Sequence, residues 1–188
     1  MKRFLSIIAI AMLTVGAFAE GHMTFKGVEI NGNIRDFVNQ LKAKGLTVVS
    51  NDGSTAMLSG TFTGKDVKVA VYSTPISHTV HSVCVIYDGG DQWQIIKNQY
   101  TSLKEMLTQK YGEPTTVVEE TTNKYATEDH YLHELMMERL TYATSFTTDK
   151  GEVLLRMAYM NLLGNMVLLC YKDKEGSKIN DKELIDEL

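Results

Sequence analysis

The sequence predicts an α+β protein: two helix–β–β–β units in tandem, forming one antiparallel sheet of about six strands with both helices packed on one face. Two observations lead there. Segments 33–45 and 91–112 carry apolar residues at three- and four-residue steps, with stop signals behind them. Three runs of strand character then follow each segment. A unit of three antiparallel strands and one helix cannot cover both faces of its strands, so two units share a sheet and leave one face open. The units span about 24–90 and 91–173, the second carrying an insertion at 115–140, within a single α+β domain over 20–188.

The first nineteen residues stand apart from that domain. Lys2 and Arg3 make a positive start, Phe4 to Val15 is almost unbrokenly apolar, and Ala17-Phe18-Ala19 supplies a small-x-small cleavage pattern. An apolar run of about twelve residues is shorter than the roughly twenty needed to cross a bilayer. Residues 1–19 therefore read as a signal peptide cleaved near Ala19, which makes the mature chain periplasmic or secreted and leaves it without a transmembrane segment. No cysteine follows the run directly, so a lipid anchor is not expected. Without Lys2 and Arg3 the chain has 17 basic and 23 acidic residues, a net of −6. That balance, with no Lys/Arg run, argues against nucleic acid as a partner.

Along the domain, "FKGVEINGNIRDFVNQLKAKGL" (25–46) reads as strand, turn and helix. Asn33 suits the N-cap, Asp36 the first turn, Lys42 and Lys44 the last turn, and Gly45 the stop, with Ile34, Phe37, Val38 and Leu41 on the buried stripe. Period-two runs follow at 55–62, 66–73 and 81–88, with a hairpin turn at 63–66. The second helix has the stripe Trp93, Ile96, Tyr100, Leu103, Leu107 and Tyr111; Asp91 suits its N-cap, and Gly112 and Pro114 end it. Strand-like runs at 141–148, 152–160 and 165–173 complete the second unit. Inside the insertion, "TTVVEETT" has β propensity and "TEDHYLHELMMERL" reads as a helix capped by Thr127. Residues 176–188 read as a short, charged final helix.

Chemistry is sparse. His130, His133 and Glu134 share one helical face and are the best metal-like cluster, although zinc helices space their histidines four apart. The pattern also suits the solvated face of an acidic helix. His78 and His81 point to opposite sides of an extended chain. No nucleophile elbow, catalytic cysteine signature or phosphate loop is present, so no enzyme and no cofactor is expected. Cys84 and Cys170 each lie inside an apolar strand-like run, which favours buried free thiols over a bridge. Alternation places Lys68 and Tyr72 on the open face of the first unit and Arg156 on that of the second. Tyr and Arg on a flat face form a partner-binding composition.

The run of "FKGVEINGNIRDFVNQLKAKGL", "LSGTFTG", "VYS" and "W…Y..LK..L..KYGEP" resembles a group of secreted Bacteroidetes proteins of uncharacterised function. Their tandem helix-plus-sheet architecture is similar to the β-lactamase-inhibitor-protein-like (BLIP-like) fold. The resemblance covers most of 24–173. It implies a periplasmic or secreted binding module whose exposed sheet contacts a protein or small ligand of the cell envelope, and it transfers no site residue. The function expected is therefore non-catalytic binding through the open sheet face, with Lys68, Tyr72 and Arg156 as contacts. The alternative is a metal-dependent hydrolase using His130, His133 and Glu134.

Overall fold

The computed structural model describes residues 21–188, so the signal-peptide reading of 1–19 lies outside the described residues. Two short strands, β1 (Thr24–Phe25) and β2 (Val28–Glu29), form a hairpin around Lys26 and Gly27. Both turn residues have positive φ, 49° and 76°, the signature of a mirror-image turn. Helix α1 (Ile34–Ala43) follows. Asn33 caps it by accepting from the Arg35 N–H, and Ile34, Phe37, Val38 and Leu41 are buried as the periodicity requires.

Then come β3 (Thr47–Asn51), β4 (Thr55–Phe62), β5 (Lys65–Ser73) and β6 (Val80–Asp88). Helix α2 (Trp93–Tyr111) ends at Gly112, whose φ of 84° suits a residue without a Cβ. Its N-cap is Gln92 rather than Asp91, and no side chain caps it. After β7 (Thr116–Thr121), a 3₁₀ turn (Glu128–His130) runs into α3 (Tyr131–Met136). Strands β8 (Leu140–Thr148), β9 (Gly151–Met160) and β10 (Gly164–Asp173) lead to α4 (Lys174–Asp186).

Apart from the β1–β2 pair, the strands form one antiparallel sheet in the order β3-β4-β5-β6-β10-β9-β8-β7. The α+β class and large antiparallel sheet match expectation, but among the described residues the sheet has eight strands, not about six. The additional strands are its two edges. Residues 116–121 belong to the edge strand β7, so the segment outside the sheet is narrower than 115–140.

A register row shows how the core is laid down. Val48, Leu58, Val69, Val85, Leu169, Leu155, Thr144 and Val117 lie side by side across all eight strands. The six inner residues of that row are fully or almost fully buried, and most belong to the same cluster as the stripes of α1 and α2. The Tyr100 hydroxyl meets Thr144 Oγ1 at 2.5 Å, which fixes α2 to β8. Trp93 and Tyr100 both pack edge-on to Tyr142. No helix among the described residues is long and apolar enough to cross a membrane.

The N-terminal segment is tied to the end of β10 by a buried carboxylate. Asp173 accepts from the Met23 N–H at 2.7 Å and from the Gly176 N–H at 2.9 Å, where it caps α4. His22 Nδ1 meets the same carboxylate at 2.9 Å, and Asn31 Nδ2 meets His22 Nε2 at 2.8 Å. With both ring nitrogens engaged, His22 acts here as a strut.

Candidate functional site: the open face of the sheet

Side chains on the opposite face follow the alternate parity. A second register row reads Thr47, Ser59, Lys68, Ile86, Leu168, Arg156, Ala143 and Val118. The row beside it holds Met57, Ala70, Cys84, Cys170, Leu154 and Ser145. One row further lie Thr55, Tyr72, Ser82, Lys172, Glu152 and Thr147.

Lys68, Tyr72 and Arg156 therefore do share this face, and each is exposed. They are not gathered into one cluster. Lys68 and Arg156 lie in one row, three strand spacings or roughly 14 Å apart, and Tyr72 lies roughly 13 Å along β5 from Lys68. None of the three forms a hydrogen bond or ion pair with the described residues.

Between them the face is apolar. Ile86, Leu168 and Leu154 are half-buried, and Cys84 and Cys170 join them as a disulfide with Cα atoms 4.0 Å apart. The expectation of free thiols is thus corrected. The cysteines occupy directly opposed positions of neighbouring antiparallel strands, a pairing that register sets and local sequence does not reveal. The apolar floor left its own sign in the sequence. β6 and β10 carry large apolar residues at both parities, whereas β5 alternates Val67, Val69 and Val71 with Lys68, Ala70 and Tyr72.

One hollow opens on this side, of about 310 Å³, lined by Ser59, Asp66, Lys68, Ile86, Asp88, Leu163 and Met166. Another, of about 320 Å³, lies where α3 meets β8 and β9 and is lined from both parities, by Leu135, Tyr142 and Met157 as well as Ala143, Arg156 and Ala158. Helix α4 borders the far end of the face, where Lys178 and Asp181 flank a hollow shared with Thr147, Glu152 and Lys172. There His81 sits half-buried between Lys172 and Asp181. Burial, then the nearby Lys172 cation, hold its imidazole below the usual range, and Asp181 opposes them.

The metal-like cluster comes apart. Arg139 donates through Nε and Nη2 to the Glu134 carboxylate at 2.7 and 3.0 Å, and Glu134 is buried. His133 is exposed, and His130 Nδ1 pairs with Thr127 Oγ1 at 3.0 Å. Among the described residues, no group of three or more His, Cys, Asp or Glu side chains is placed to hold a metal ion. His78 and His81 are likewise separated: the carbonyl of His78 accepts from Ile34 at the start of α1, whereas His81 faces α4. Compared with protein-family models, curated proteins and solved structures, the chain gives no match.

Proposed function

We propose that this chain is a non-catalytic binding module that acts outside the cytoplasm and recognises a protein or ligand of the cell envelope through its open sheet face. The observation that carries this reading is the apolar strip of half-buried Ile86, Leu168, Leu154 and Cys170, set between the heads of Lys68, Tyr72 and Arg156, which form no hydrogen bond or ion pair among the described residues. An apolar patch rimmed by polar groups is the composition of an interaction surface. Strands held on both sides by neighbours need little ordering when a partner arrives, which lowers the entropic cost of association. The disulfide supports an oxidising compartment, in agreement with the signal-peptide reading.

The finer architecture supports the same view. Helix α1 precedes β3 to β6, α2 precedes β7 to β10, and the halves meet at β6 and β10. We read them as tandem repeats related by a pseudo-two-fold axis through Cys84–Cys170, in keeping with the BLIP-like resemblance. The test is capture of envelope proteins by the wild-type chain and by a Tyr72→Ala/Arg156→Ala variant. The variant is expected to lose the captured partner while keeping its thermal midpoint. Unaltered capture would remove the open face from the proposal.

A further inference from the structure

We infer that the open face pairs with the open face of a second copy of this chain. The inference rests on the binding reading above and names its partner. The face has three rows, one crossing eight strands and two crossing six, which makes about 550 Å² in plan. A standard stable interface buries about 800 Å² of accessible surface per partner, and side-chain relief over this plan area brings the face toward that size.

Charge placement then selects the geometry. A two-fold axis running along the strands would set Lys68 against Arg156 of the other copy, like against like. A two-fold axis lying in the face along the Ala70–Cys84–Cys170–Leu154 row does the opposite. It exchanges the rows on either side of itself, so Lys68 comes over Tyr72 of the second copy and Arg156 comes over Glu152. The first contact sets a cation on an aromatic face and the second is an ion pair. Each occurs twice, as an isologous interface requires.

The same axis brings Leu154 and the disulfide against their own copies at the centre. β5 and β9 flank the central strand pair, so the paired side chains one row off the axis lie roughly 10 Å from the centre, where the usual sheet-on-sheet angle displaces them by a few ångströms that long side chains span. The axis also carries α4, which packs chiefly on β6, toward the hollow of about 310 Å³ at the other end of the partner's face. A ridge thus meets a recess.

Sedimentation equilibrium of the purified chain, from low to high micromolar, tests the inference. The wild type is expected to show the mass of two chains. Arg156→Glu and Glu152→Arg are each expected to weaken the dimer roughly tenfold or more, because each reversal sets like charges together. The combined Arg156→Glu/Glu152→Arg protein is expected to regain it. Both residues are exposed, and circular dichroism would confirm that each variant is folded. A wild type that stays monomeric overturns the inference, as does a dimer indifferent to both reversals. If the chain is monomeric yet the Tyr72→Ala/Arg156→Ala protein loses a captured partner, the binding face stands and only the identity of its partner falls.

Discussion

Cys84 and Cys170 face each other across β6 and β10, with Cα atoms 4.0 Å apart and 86 residues between them in sequence. The bridge lies in the middle of the open face and spans the seam between the two halves of the strand order.

Closing so long a loop removes much of the freedom of the unfolded chain. The chain-entropy relation puts the effect at about 4–5 kcal/mol. A Cys84→Ala/Cys170→Ala protein is expected to unfold at lower urea than the oxidised wild type by a margin of that order. Wild type treated with a reductant should follow the variant. Coincident curves for all three would refute the prediction.

Asp173 satisfies two backbone N–H groups and His22 from one buried carboxylate. Asp173→Ala leaves the Met23 N–H without its acceptor and uncaps α4, at an expected cost of about 2–3 kcal/mol. Its distinctive sign is spatial. Hydrogen exchange should accelerate together in 22–31 and 174–180, segments that are far apart in sequence.

His81 gives a pH dependence whose direction is fixed. Its folded-state value lies below the ordinary 6.5, so folding favours the neutral ring. Above 6.5 both folded and unfolded chains hold it neutral, and it contributes no slope. As pH falls from 6.5 through the lower folded value, the unfolded chain takes up the proton first and stability declines. A His81→Gln protein is expected to show a flatter thermal midpoint between pH 7.5 and 5. Equal slopes for the two proteins would remove His81 as the source.

Glu134 acts in a lower window. Hydrogen bonds from Arg139 hold its carboxyl below the ordinary 4.5 against the opposing effect of burial, with Asn123 and His133 assisting. Its contribution is complete above 4.5 and is lost as pH falls through the folded value. Arg139→Leu is expected to destabilise more than Glu134→Gln/Arg139→Leu, because the single change strands a covered carboxylate. Urea titrations of the two proteins at neutral pH make the comparison.

The inner strands were legible because burial imposes period two. The runs read at 55–62, 66–73, 81–88, 141–148, 152–160 and 165–173 lie within one residue of β4, β5, β6, β8, β9 and β10. The edges were read less well: β3 was not expected, and β7 showed only as β propensity inside the insertion, since both bury almost nothing and owe their place to β4 and β8. The facing of Lys68, Tyr72 and Arg156 followed from alternation along each strand. What lies between them depends on which strands become neighbours. That choice joins positions more than eighty residues apart, so neither the disulfide nor the apolar strip could be read locally. The same holds for Asp173, whose partner His22 is 151 residues away.

The meeting of β6 and β10 also sets an order of assembly. Among the described strands β10 is made after all the others, and it occupies the middle of the sheet. Until it arrives, β6 and β9 are both edges, and both are largely apolar strands with backbone groups open to any passing chain. The finished protein shows only the polar β3 and β7 at its margins. A chain halted before residue 164 would instead show β6 and β9 as adhesive borders, so the arrival of β10 is what turns two aggregation-prone edges into an interior seam.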